Sequence, residues 1–308
     1  MANEIYYSGL GDLRVAEIIS NELQLLLADR ADLSTHPAIM QAGNLAQAGS
    51  DTVKIPLAGL DGYDAMTSVA ENSSSSNVAL TDASATIQIA RYALQRQISG
   101  LAQLTSSVGL ANLLRFLSDM VGGYRMAKTA AICSAASGFS TVKGTTGTAM
   151  SAEVFLSARY ALQQANVNGP LVAILYPKQV TELQDSIASL GGARQYKEPT
   201  QDMVDRFGQG YQGNFAGVDI FASSKVPSAN AGADSKGAMM GYGAIAQAVA
   251  SPPPIPGFEG QIVVAESGEV AVEFARDASA DLTKIVGRSY FGTSKIQDGL
   301  GVAILSRR

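Results

Sequence analysis

The sequence predicts an α+β fold assembled in blocks, and three observations carry that expectation. Residues 51–99 read as strands and turns, residues 106–137 hold one helical repeat far longer than usual, and from residue 151 helices alternate with strands until strands alone close the chain.

Ahead of these blocks, Val15, Ile18, Ile19, Leu23, Leu26 and Leu27 recur at helical spacing, with Asp12 placed to cap the first turn. Ser34, Thr35, His36 and Pro37 end that helix, which reads as an amphipathic arm whose apolar stripe needs a surface. Residues 52–56 form a short expected strand, and Thr86, Ile87, Gln88 and Ile89 alternate at period two. The phase then shifts so that Tyr92 and Leu94 become the apolar positions, which implies a bulge or twist near Ala90 and Arg91. Asp61, Gly62 and the serines 73–76 make the region between these strands a polar tip. A long two-stranded excursion cannot bury its own faces. It is expected to lie across a neighbour.

Leu110, Leu113, Leu114, Leu117, Val121, Tyr124 and Ile132 mark the long helix, against a usual length of about 11–12 residues. Gly122 and Gly123 inside it predict a kink or a close backbone contact, and Ser137-Gly138 ends it. Ser151 caps the next helix, with Glu153 near its N-terminus and Val154, Phe155, Ala158, Leu162 and Ala165 along it. Asn168-Gly169-Pro170 turns into an apolar strand over 171–176, and Pro177 opens a helix with Val180, Leu183, Ile187 and Leu190 on one face. Gly191-Gly192 stops it. Residues 192–213 read as a polar loop with one helical turn near 202–207. Strands are expected at 218–222 and 238–248, a rigid proline crossing at 252–257, a hairpin turning at Ser267-Gly268, and closing strands at 282–291 and 302–305.

Composition narrows the function classes. Of 308 residues, 46% are hydrophobic and only 16% charged, where roughly 25% charged is ordinary. A sparsely charged surface suits a subunit that neighbours will cover. The net charge of −5, without a dense basic block before Arg307 and Arg308, argues against strong nucleic-acid binding. One cysteine, Cys133, excludes an intrachain disulfide and a cysteine-based zinc site. The opening residues lack a signal-peptide pattern, and no apolar run reaches the roughly 18 residues that span a bilayer. The expectation is a soluble chain made inside a cell.

Tests for chemistry give no catalytic set and no cofactor. Residues 208–213 match the letters of a dinucleotide fingerprint but precede a strand instead of opening a helix, so they read as a loop. His36, the sole histidine, reads as a turn residue after a helix. Cys133 reads as a small core residue, and the Ser140–Lys143 spacing as chance. The carboxylate pairs Asp202 with Asp205 and Glu266 with Glu269 read as solvated loop faces. The basic strand residues Lys54, Arg91 and Arg96 are candidates for pairing with acids on a neighbouring subunit.

The order of elements resembles the major capsid protein of tailed phages with the Hong Kong 97-type fold. Residues 171–177 look like the family's strand-to-helix step, and residues 217–227 like its strand ending in serine and proline. Met239, Met240, Gly241 and Tyr242 resemble a core-reporting strand, and residues 288–305 the closing strands. The resemblance spans essentially the whole chain, through short and degenerate motifs. It implies an N-terminal arm at 1–50, an E-loop hairpin at 51–99, and the spine helix with the start of the P-domain at 100–149. An A-domain at 150–250 and return strands of the P-domain at 251–308 complete it. It also implies pentamers and hexamers tiling an icosahedral phage head around double-stranded DNA held without sequence-specific binding. A separate scaffold protein, a portal and a decoration protein are the implied partners, with assembly in the host bacterial cytoplasm, no membrane and no enzymatic role.

Two departures qualify the match. The sequence has no long helical leader ahead of the arm, which a separate scaffold or a cleaved chain would explain. Lys54 is not at the hairpin tip and has no matching Asn, so the Lys–Asn cross-link of some members is not carried over. The alternatives are an encapsulin-like nanocompartment shell, a tail or surface-layer protein, and an enzyme built on the α/β lobe.

Overall fold

The computed structural model describes residues 33–44, 51–57, 68–74, 84–99, 109–167, 169–189, 196–208, 210–251, 262–264, 270–277, 279 and 281–308. The expected helix at 12–30, most of the polar tip, Gly191-Gly192, the proline crossing, Ser267-Gly268, Glu266 and Glu269 lie outside the described residues.

A single 3₁₀ turn at Leu33–Thr35 leads into β1 (Met40–Asn44), and β2 (Thr52–Pro56) pairs antiparallel with β3 (Ser84–Gln88). After a break at Ile89 comes β4 (Ala90–Ser99). That break falls where the alternation changes phase, and the strand changes partner there as well as face. The long helix α1 (Gly109–Ala136) follows, then β5 (Val142–Lys143), α2 (Ala152–Gln164), β6 (Leu171–Leu175) and α3 (Pro177–Ser189). Ser151 caps α2 as expected, its hydroxyl accepting the Val154 N–H at 3.3 Å. All five residues of β6 are buried, which is what a continuous apolar run in a covered sheet requires.

The stretch read as a loop is more ordered than its polarity suggested. It contains β7 (Tyr196–Lys197), α4 (Gln201–Phe207) and β8 (Tyr211–Phe215), the last entered directly from the glycines of the false fingerprint. β8 buries Tyr211, Gly213 and Phe215 in alternation; its polar partners Gln212 and Asn214 hid it in the sequence. Next come β9 (Val218–Ala222), β10 (Ser228–Ala229), β11 (Asp234–Met240) and β12 (Ile245–Ala250). The single strand expected over 238–248 is therefore two, separated by a turn at Gly241–Ala244 and belonging to different sheets. The chain closes with β13 (Ile262–Val264), β14 (Val270–Asp277), β15 (Leu282–Lys295) and β16 (Gly301–Arg307).

Two larger sheets organise the molecule. One runs β5-β16-β11-β6-β9-β8-β7, with β10 beside β11. Its successive residues point to opposite faces. Ala173, Leu175, Val218, Ile220 and Phe215 face α2 and α3, while Val172, Ile174, Tyr211 and Phe221 face the opposite way, toward residues 33–39, α4 and the end of α1. The other sheet runs β1-β12-β15-β14-β13, with β4 on the free edge of β15. β15 is long enough to serve β14 along Leu282 to Ser289 and β12 along Tyr290 to Lys295 on one edge, and β4 on the other.

α1 bridges both sheets. Phe116, Leu117, Met120, Val121 and Tyr124 pack on the β14–β15 sheet, and Ile132, Cys133 and Ala136 pack in the core of the other. Burying each such large side chain contributes about 1.5–3 kcal/mol, so a helix of this length ties the two sheets firmly. It runs unbroken through Gly122 and Gly123, and nothing among the described residues lies within 4 Å of where their Cβ atoms would be. The expected close contact there is absent; Gly123 instead borders a groove. No helix among the described residues is long and apolar enough to cross a membrane.

Candidate functional site: the assembly surfaces

β2 and β3 form a two-stranded sheet whose inner side chains, Ile55, Ala85 and Ile87, are buried against Ala246, Ala248 and Ile296. Their backbones approach closely because residue 292 is glycine: a Cβ there would collide with the Gln88 carbonyl. Lys54 and Thr86 face one another on the outer side, and Lys54 is exposed without a partner among the described residues. Of the hairpin's far end, residues 68–74 are exposed and turned by Ser73, whose N–H and hydroxyl both donate to the Ala70 carbonyl at 3.1 and 2.8 Å. The base is thus seated and the outer face is free.

β4 pairs along its full length with β15 and presents its other edge unpaired among the described residues. Its residues 90–97 are all exposed. A ten-residue open edge is a ready template for another chain. Strand alternation puts Arg91 and Arg96 on opposite faces. Arg96 pairs with Asp119 of its own α1, an exposed pair, while Arg91 is exposed and unpaired among the described residues. The three basic candidates therefore do not converge. Between β4 and α1 lies a groove of about 220 Å³ lined by Tyr92, Leu94, Met120, Gly123, Tyr124 and Ala127. Tyr92 stacks on Phe291 at 4.1 Å, which explains why an apolar residue stands on an open strand.

A second open pocket, of about 510 Å³, was not visible in the sequence. Leu156 and Arg159 of α2, Lys197 of β7, and Asn214, Phe215, Ala216 and Gly217 around the β8–β9 turn line it. That turn holds Ala216 and Gly217 at φ of 55° and 80°, as a tight two-residue hairpin turn requires. Arg159 Nε is buried without a hydrogen-bond partner among the described residues. Nothing in the local sequence distinguishes Arg159 from a solvated helix cation.

The residues weighed for chemistry in the sequence have definite places in the fold. His36 is not a solvated turn residue: it is 1% exposed, and its Nε2 lies 3.1 Å from Asp219 Oδ2. Its Nδ1 accepts the Ala38 N–H at 3.1 Å, so Nε2 carries the proton in the neutral ring and no nitrogen is left to serve as a base. Burial pushes the Asp219 carboxyl up, but hydrogen bonds from His36, Asn214 and Tyr211 outweigh it and hold the group below its ordinary range. Burial, with Asp219 alongside, raises the Tyr211 phenol to about 12. Cys133 is buried, and loss of solvation raises its thiol to about 11, which leaves little thiolate. Ser140 donates to Asp298, and Asp298 also takes Lys295 Nζ at 2.7 Å; these bonds lower the Asp298 pKa. Asp202 and Asp205 are exposed on α4, and no group of potential metal ligands occurs among the described residues.

No family model matches the chain. No curated protein matches it in sequence. Solved structures do match in fold. The capsid of the cyanophage P-SCSP1u shares 12% identity at a TM-score of 0.59, covering 91% of this chain and 89% of its own. The capsid of a native GTA particle shares 12% at 0.57, covering 93% and 91%. The SrpI encapsulin complex of Synechococcus elongatus shares 11% at 0.56, covering 83% and 81%. Likeness over nearly the whole of both chains, at so little identity, is a likeness of fold, and the fold of this chain is the Hong Kong 97-type fold of phage capsid proteins.

Proposed function

We propose that this chain is a structural shell subunit, the major capsid protein of a tailed phage, and not an enzyme. The supporting observation is the match over about nine-tenths of the chain to phage capsids, joined to a hairpin and an edge strand that a lone subunit leaves open. In this reading residues 1–50 are the arm and 51–99 the E-loop, with β4 as its return into the P-domain sheet. Residues 100–149 are the spine, 150–250 the A-domain and 251–308 the P-domain's return strands. Copies assemble as pentamers and hexamers into an icosahedral head around double-stranded DNA, held without sequence-specific contacts, in the cytoplasm of a bacterial host. A scaffold, a portal and a decoration protein are the further partners. Lys54 and Arg91 meet acids of adjacent subunits, and so does Arg96, in addition to its own-subunit pair with Asp119.

The likeness to an encapsulin supports a second reading, a nanocompartment shell enclosing protein cargo. Negative-stain microscopy and light scattering of the protein, alone and with a neighbouring scaffold gene, test both. Closed shells or discrete pentamers and hexamers are the expected result, and nucleic acid against protein content separates the readings. A stable monomer in both conditions overturns them.

A further inference from the structure

We propose that the pocket beside Arg159 and Lys197 is a socket for the acidic face of α4 on the next copy of this chain, joining subunits head to tail into a ring. The inference rests on the shell reading above and names one contact within it.

Each half of the contact is incomplete in a single subunit. Arg159 is half-buried, its guanidinium stands 4.0 Å from where a Gly217 Cβ would be, and its Nε has no acceptor among the described residues. A buried guanidinium donor without an acceptor is costly, and a carboxylate is the group whose geometry matches its fork. Lys197 is exposed on the same rim and also lacks an acceptor among the described residues. Opposite chemistry stands on α4. Asp202 and Asp205 are three residues apart, hence on one helix face, and both are exposed. Asp205 accepts only Gln201 Nε2, at 2.8 Å, and Asp202 accepts nothing among the described residues. Glu198, ahead of the helix, is a third exposed acid, and Arg206 is the cation on the helix itself.

Arg159 and the acids of α4 lie on opposite faces of one sheet, with Lys197 on the edge strand β7. α2 covers the face of Phe215, Val218 and Ile220, whereas α4 sits over Tyr211 and Phe221 through Phe207. Arg159 therefore cannot meet the α4 acids of its own subunit. Complementary patches on opposite faces make a heterologous contact, and repeating it by a rotation closes a ring. The charges set register and partner choice more than bulk affinity.

The test is a charge exchange in the full chain. Arg159→Glu and Lys197→Glu are each expected to raise the concentration needed for assembly by about tenfold or to abolish it, and so is the double variant Asp202→Arg with Asp205→Arg. Combining the exchanges in one chain restores assembly, because each reversed socket then meets a reversed helix. Lys197 is exposed, so its variant keeps the fold, checked by circular dichroism and thermal melting. Normal assembly of both single variants, or no rescue by the combined exchange, overturns the socket and leaves the shell reading standing. Normal shells that fail only to retain DNA assign the pocket to phosphate and overturn the socket too. A wild-type chain that never assembles overturns the shell reading and this contact with it.

Discussion

His36 and Asp219 are 183 residues apart in sequence and 3.1 Å apart in space, so one buried hydrogen bond ties the segment leading into β1 to the sheet of β8 and β9. His36 lies between the rings of Phe207 and Phe221, at 5.3 and 5.5 Å, which fixes its plane. His36→Ala is expected to destabilise the subunit by about 2–3 kcal/mol, from a lost buried contact and an orphaned Ala38 N–H. Chemical denaturation measures it. Because the Asp219 carboxyl is held below its ordinary 3.8, its contribution is present above that pH and is lost as pH falls through the lower folded value. Asp219→Asn should therefore flatten the acid limb of a stability-against-pH curve; an unchanged limb would show that the pair does not couple to folding.

Gly292 admits the β3 backbone to the sheet. An added methyl meets the Gln88 carbonyl, a rigid group that cannot rotate away. Gly292→Ala is expected to cost about 1–3 kcal/mol and to loosen the seat of Ile55 and Ile87. Hydrogen exchange at β2 and β3 reads the loosening directly, and protection equal to the wild type would refute it.

Cys133 should be chemically quiet. Raising its thiol from 9.0 to about 11 lowers the thiolate present at pH 8 by about a hundredfold. Labelling with a thiol reagent is expected to be slower than in denaturant by at least about that factor, since burial adds a steric barrier.

The open surfaces should matter to assembly and not to folding. Deleting residues 71–77 or introducing Arg91→Glu is expected to leave the melting temperature within about 1–2 °C while impairing shell formation, because residues 71–74 and Arg91 are exposed. Arg96→Ala removes an exposed ion pair with Asp119 and should cost about 0–1 kcal/mol. Sedimentation of the variants beside the wild type separates the two effects. Normal shells from the deletion would remove the hairpin from the assembly surface.

Periodicity alone located α1, α2, α3, the all-buried β6 and the paired strands β2 and β3, because each carries a strong 3.6- or 2-residue apolar pattern or a local cap such as Ser151. The fold class and its order of elements followed from those patterns. β8 was missed because only alternate residues are apolar and three of its neighbours are glycines, a pattern shared with loops. The split of β11 from β12 was missed because Gly241, Tyr242, Gly243 and Ala244 join two apolar runs without a breaker as strong as proline. The basic candidates were legible as exposed side chains, but their separation on different strands and faces was not. What tertiary structure alone decided are the long-range pairings: β4 with β15, His36 with Asp219, and the placing of Arg159 and α4 on opposite faces of one sheet. Local sequence encodes how a segment curves and which face is apolar, whereas the partner of that face is set by burial summed over the whole chain.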